Sequence, residues 1–319
     1  MKPDHLHKLL TCLFLNAHKN DDDRGEFINY FCCIMFYMNR LLFFCCVFLL
    51  CKQNVCAQFI SLNDKVKYSI GYEMSYKYEV GKSQFVDNTC VLDVGSHVSH
   101  FHSRRNDRAE EIKDSILRNG ISPHEYLDLL QKHGCDGPRA DFILVRNYPQ
   151  KGMLFTFMNV CRNFRCEEQI PQMNWQFVKG DTTICGYACK KATINFRGRH
   201  WKAWYTLKIP ISEGPWKLHG LPGLILCAYE DKGDFKFLCN EIRNGDGKVM
   251  RIRNKKAQKC SLSKLIELQR LNIEDYARLS EIVRGYPVYS YDKNGKLITG
   301  KGRKACLIEV LPNDKKVKR

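Results

Sequence analysis

The chain has 319 residues and 37.3 kDa, with 44% hydrophobic and 27% charged residues. That composition excludes general disorder and leaves room for a sizeable core, in one large domain or two small ones. Residues 58–319 hold 45 Lys/Arg against 29 Asp/Glu, which places +16 of the chain's +17 there. Such a field favours anionic partners (nucleic acid, lipid head groups, acidic polysaccharide), although a solvated basic surface is the simpler reading and the one we weight more heavily.

The first element is a leader. In "MNRLLFFCCVFLLCKQNVCA", residues 38–57, Met38 can start the chain and Arg40 supplies the positive end. Leu41 to Cys51 form the apolar run, and Val55-Cys56-Ala57 gives a small-residue cleavage site before Gln58. Residues 1–37 then read as an over-long start. The uninterrupted apolar run is too short for a membrane anchor. The expectation is an exported protein, periplasmic or outer-membrane associated, with residues 58–319 forming one domain.

In "KVKYSIGYEMSYKYEV", residues 65–80, every even position is apolar or aromatic and every odd one polar, charged or glycine. Period-two alternation of this length predicts a long half-buried strand. Residues 89–101 predict a second strand, bent at Gly95. A helical insertion over 104–134 follows, with Ser122 as N-cap, Pro123 at the first helical position, Glu125 in the capping box and Gly134 as the stop. Strands are then predicted at 141–148, 153–160, 164–170, 174–178, 183–196, 199–209, 221–230 and 234–242. Their short connections predict an antiparallel meander, curved or rolled. Residues 261–284 carry an apolar helical stripe that packs on the sheet. The tail "NDKKVKR" predicts a basic, mobile end. The fold class is β-rich α+β: a curved antiparallel sheet with one or two packed helices.

Ten cysteines follow the leader, and an even count in an oxidising compartment permits disulfides. Cys185 and Cys189 lie about 13 Å apart along a strand, too far to bridge. Hairpin registers would place Cys161 near Cys166, and Cys227 near Cys239, with at least one pair close enough to bridge.

Catalytic signatures are absent: no nucleophile elbow, zinc-protease helix, phosphate loop or dinucleotide fingerprint occurs. His97, His100 and His102 fall within six residues, and in a strand His100 and His102 share a face. No partner ligand can be assigned, so strand-end histidines are the preferred reading and neither metal nor cofactor is expected. Glu167 and Glu168 alternate faces and read as a solvated edge. "FRGRHWKAWYT" interleaves cations with Trp201, Trp204 and Tyr205, a pattern that serves stacking on a base, a sugar or a core. Nucleic acid is an unlikely partner for an exported chain.

Residues 186–242, with "GRHWKAWYT", "IPISEGPWK" and "GLPGLIL" in order, resemble the GLPGLI family of exported Bacteroidetes proteins. Gly220, Leu221, Pro222, Gly223, Leu224 and Ile225 are its naming motif. The likeness extends loosely to "VLDVGSHVSHF" and "LIEVL", and the chain departs at the charged segment 104–134 and in its cysteines. The family is uncharacterised, so the resemblance implies no catalytic residues. At fold level the strand order also resembles periplasmic lipoprotein carriers, which implies a half-barrel around an apolar cavity. The expected function is non-enzymatic binding of a hydrophobic or anionic envelope component. Tyr72, Tyr76, Trp201, Trp204, Tyr205 and Trp216 are the expected ligand-binding residues. Lipid, a lipoprotein or an outer-membrane protein are the expected partners. An assembly partner of an outer-membrane complex and an envelope hydrolase are the alternatives. Leu221 to Leu224 predict a type II turn with Gly223 at its third position, a corner leading into the next strand.

Overall fold

The computed structural model describes residues 59–311 other than 84, 120–121, 136–141, 254–255, 292–294, 296 and 299–301. The leader and the basic tail lie outside the described residues. Twelve strands form one sheet in the order β14-β7-β6-β5-β4-β3-β2-β12-β11-β10-β9-β8. One meander runs through β2 (Tyr68–Lys77), β3 (Phe85–Val94), β4 (Ser99–Ser103), β5 (Phe142–Arg146), β6 (Met153–Val160) and β7 (Arg162–Gln169). A second runs through β8 (Gln176–Ile184), β9 (Tyr187–Phe196), β10 (Arg199–Thr206), β11 (Leu224–Glu230) and β12 (Phe235–Asn244). Antiparallel pairing of β12 with β2 joins them, with Phe237 opposite Met74 and Cys239 opposite Tyr72. The short β14 (Gln258–Lys259) adds in parallel beside β7.

Connectivity makes this sheet curl. β7 and β8 are consecutive in the chain yet ten positions apart in the sheet. In a flat sheet that separation would be about 48 Å at the usual strand spacing. Residues 170–175 can span only about 25 Å. The edges must therefore approach each other, giving a curved, open sheet rather than a closed barrel.

The alternation predicted for 65–80 sets the inner face: Ile70, Tyr72, Met74 and Tyr76 are buried there with Leu92, Phe101, Leu144, Trp201 and Phe237. The strand predicted at 65–80 is β2, Tyr68–Lys77, and the segment before it forms a strand that was not predicted. β1 (Phe59–Lys65) leaves the sheet and pairs with β13 (Val249–Arg253) as a separate ribbon. On the convex face this ribbon buries Leu62, Met250 and Ile252 against Val98, Val145, Phe155 and Phe157. The predicted strand 89–101 is a hairpin, β3 and β4. Asp64 Oδ2 fixes its turn by accepting from the His97 and Val98 amides at 2.7 and 2.9 Å.

The helical insertion is present as α1 (Arg104–Asn119) and α2 (Pro123–Lys132), and Ser122 Oγ accepts from the Glu125 amide at 3.3 Å as the cap requires. The predicted helix 261–284 is broken into α3 (Leu262–Glu274) and α4 (Tyr276–Arg284). Asp275 ends the first and caps the second, accepting from the Arg278 amide at 3.0 Å. Among the described residues there are thus four helices, two in the predicted insertion and two where the single helix 261–284 was expected. An antiparallel pair of two-residue strands, β15 (Ser290–Tyr291) with β16 (Leu297–Ile298), follows.

All ten cysteines of this region are free, and the register explains why neither expected pair bridges. Cys161 stands at the apex between Val160 and Arg162, while Cys166 lies further along β7 opposite Thr156. Cys227 pairs with Leu238, one position from the expected register, so Cys227 and Cys239 point to opposite faces.

The motif is not a type II turn. The left-handed residue is Gly220, at φ 86°, and Gly223 has no positive φ. Gly223 is required for a different reason: a Cβ there would lie 2.0 Å from the Thr206 carbonyl oxygen. Because the obstacle is backbone, Gly223→Ala is expected to lower stability by about 1–3 kcal/mol, read as a lower urea midpoint with unchanged slope.

Candidate functional site

The connection from β10 to β11, residues 207–223, folds into the concave face as a plug. Gly214, Pro215, Trp216, Lys217 and Leu218 are all buried. Arg146 on β5, 3% exposed, meets this plug from the sheet. Its Nη2 donates to the carbonyls of Gly214, Trp216 and Leu218 at 3.1, 3.2 and 3.0 Å, and its Nη1 lies 3.2 Å from Glu213 Oε2. Tyr72 Oη donates to the Ile225 carbonyl at 2.7 Å. Trp216 packs between Trp201 and Phe196, at 5.5 and 5.6 Å between centroids.

The six aromatic residues expected to bind ligand therefore have different surroundings. Tyr72, Trp201 and Trp216 are buried in the contact between plug and sheet. Tyr205 is buried near Phe177, with 6.2 Å between centroids. Trp204 is half-buried beneath Lys191, whose Nζ lies 5.4 Å from the ring. Tyr76 stacks on Phe235 at 6.1 Å. Only Tyr76 and Trp216 border the interior pocket.

That pocket has a volume of about 150 Å³. Met74, Phe142, Leu144, Met158 and Phe235 form its apolar wall, while Asn272 and Ile273 of α3 and residues 306–309 cover it. Arg199 holds the covering segment, its Nε and Nη2 donating to the Leu307 carbonyl at 3.0 and 2.6 Å. Glu309, Thr156 and Asn159 add polar groups at the border.

Beside the pocket, charges close the gap between sheet edges. Lys217 Nζ lies 2.7 Å from both Glu168 Oε1 and Glu309 Oε1. Arg197 pairs with Glu168 and lies 3.6 Å from Glu309 Oε2. Glu168 is thus part of a buried network and not the solvated edge expected for it.

His219, at the end of the plug, donates from Nε2 to the Pro171 carbonyl at 3.1 Å. Burial, with a smaller contribution from Arg146, pushes its pKa down to about 4 from an ordinary 6.5. The folded state therefore prefers neutral His219, and its contribution is complete above pH 6.5 and lost as pH falls toward 4. Stability measured across that window is expected to fall with acid in the wild type and to fall less steeply in His219→Asn.

A second cluster lies on the convex face. His100 and His102 share a face of β4, as the strand period predicts, with rings 4.2 Å apart and 13° from parallel. His97 turns away and its side chain is 86% exposed. Asp93 stands opposite His100 on β3, with Oδ2 3.3 Å from His102 Nε2. Asp107, in the first turn of α1, places Oδ2 2.5 Å from His102 Nδ1. Burial opposes charge on His102, but the two carboxylates outweigh it and lift its pKa to about 10. Sequence reasoning found the histidines and missed both carboxylates, which only strand pairing and the helix start bring to them.

A family model described as a protein of unknown function (Porph_ging) matches residues 197–227. The matched stretch is β10, the plug and the start of β11. No curated protein matches the chain. Among solved structures, PNGF-II in its P21 crystal form is similar at 14% identity and a TM-score of 0.42, covering 64% of this chain and 33% of that one. PNGF-II in its C2 form is similar at 13% identity and a TM-score of 0.40, covering 65% and 32%. The chain thus matches about a third of the length of those structures.

Proposed function

We propose that this is an exported, non-enzymatic binding protein of the GLPGLI type, holding the apolar part of an anionic envelope amphiphile such as a lipid or a lipoprotein acyl chain. The observation that carries the reading is the pocket between the inner sheet face, α3 and residues 306–309. Its volume, about 150 Å³, is similar to that of an apolar cavity that stays dry and admits a benzene ring. It suits a ring or a short stretch of acyl chain. The net charge of +16 over residues 58–319 suits an anionic head group outside. Among the described residues no helix is long and apolar enough to cross a membrane.

The test is native mass spectrometry of protein purified from its own envelope, followed by solvent extraction. A bound amphiphile is expected in the wild type and is expected to disappear in Met158→Trp, which fills the pocket. Wild-type protein that is consistently empty would overturn the reading. Stable cross-linking of that empty protein to an outer-membrane complex would favour the assembly role.

A further inference from the structure

We propose that Asp93, His100 and His102, oriented by Asp107, form a binding site for a divalent transition metal, with Zn²⁺ the best match. The site lies on the convex face of β3 and β4 at the start of α1, on the opposite side of the sheet from the pocket, and does not depend on what the pocket holds.

One ligand atom from each of Asp93, His100 and His102 lies within 4.8 Å of the other two. An ion pair alone accounts for His102, which stands between two carboxylates. It does not account for His100. That residue is 6% exposed, and its Nε2 is buried without a hydrogen-bond partner. A buried polar atom without a partner is costly and uncommon. A cation shared with His102 and Asp93 supplies the missing partner.

The donor set selects the metal. Two imidazole nitrogens and one carboxylate oxygen suit Zn²⁺ and its neighbours, whereas Ca²⁺ and Mg²⁺ favour all-oxygen sets and Cu(I) favours sulfur. Asp107 supplies the outer-shell contact that metal-ligating histidines usually have. By accepting from His102 Nδ1 it holds that proton in place, so that Nε2, which faces Asp93, is the nitrogen that ligates once the metal displaces its proton. Three protein ligands leave a further position for water.

The sequence pattern supports the same geometry. Two histidines at i and i+2 share a strand face, and antiparallel pairing of Asp93 with His100 puts the carboxylate on that face. The helix following β4 directly then places Asp107 behind His102.

The test is calorimetric titration of chelator-treated protein with Zn²⁺. One equivalent is expected to bind with micromolar or tighter affinity. His100→Ala and Asp93→Asn are each expected to weaken binding at least tenfold. Asp107→Asn is expected to weaken it ten- to a hundredfold, the usual effect of losing an outer-shell partner. Exposed His97→Ala should leave it unchanged. X-ray absorption of the Zn²⁺-loaded wild type gives an answer even if a variant fails to fold. Nitrogen and oxygen ligands at about 2.0–2.1 Å are expected, and sulfur at about 2.3 Å would assign the ion to cysteines and overturn the proposal. Binding no tighter than millimolar would overturn it as well.

Discussion

Replacing Arg146 by alanine is expected to cost about 3–5 kcal/mol, the range for breaking a buried charge pair by removing one partner. Arg146 is 3% exposed and is the polar contact between β5 and the plug. Without it, the carbonyls of Gly214, Trp216 and Leu218 lose a shared donor, and Glu213 loses the cation 3.2 Å away. Water cannot easily replace the guanidinium, because the surrounding plug residues are buried. Each acceptor left without a partner costs about 1–3 kcal/mol before relaxation, so the charge pair need not carry the whole loss. Lysine keeps the charge but lacks the planar fork that reaches several acceptors, so Arg146→Lys is expected to recover only part of the stability. Urea unfolding gives the magnitude, and near-UV circular dichroism reports whether Trp201 and Trp216 still pack. An alanine variant within about 1 kcal/mol of wild type would show that the plug is held by apolar packing alone, since a typical single hydrogen bond contributes that much.

The parts of this fold that could be read in the sequence are those set by short-range periodicity. The inner face of β2 follows from alternation along one segment, and the start of α2 follows from Ser122, Pro123 and Glu125. The β11–β12 pairing was legible, but its register was not. Glu230 Oε2 accepts from the Lys232 amide at 3.1 Å, and Oε1 accepts from the Asp234 amide. These contacts favour a loop of residues 231–234, and the one-residue difference reverses the faces of Cys227 and Cys239. The ribbon was invisible because β1 and β13 are far apart in the chain, and nothing local marks the two segments as partners. The plug was invisible for a different reason. Arg146 and Lys217 belong to residue types that are almost never fully buried unless paired, so nothing local marked them as interior. The aromatic residues around the plug were found, but a concave binding surface and a packed plug use the same residue types. The two readings separate only when residues 207–223 are seen to fold inward.

Replacing Lys217 by methionine is the second change expected to cost about 3–5 kcal/mol. Methionine approximates the length of the lysine stem, so most of the loss is electrostatic. Lys217 is 1% exposed, and its ammonium is the shared cation between Glu168 and Glu309, whose side chains are 15% and 10% exposed. Among the described residues, its removal leaves both carboxylates to Arg197 alone. The same reasoning predicts a particular double variant. Lys217→Met with Glu309→Gln removes one charge of each sign, and it should be more stable than Lys217→Met alone. A simple sum of the two single effects would contradict this, because groups in one network should couple by about 0.5–3 kcal/mol. Salt separates the network from an exposed ion pair: a buried pair is screened weakly, so the loss should persist at high ionic strength. The damage should also be local before it is global. Glu168 is on β7, Arg197 is in the β9–β10 turn, and Lys217 is in the plug, so the network crosses the gap that the curled sheet leaves open. Amide exchange in β7 and in β8, the edge strand after the 170–175 link, is therefore expected to accelerate before exchange in β2 and β12, whose ladder lies in the middle of the sheet. Uniform acceleration across all strands would show instead that the network stabilises the whole fold and does not specifically hold its edges together.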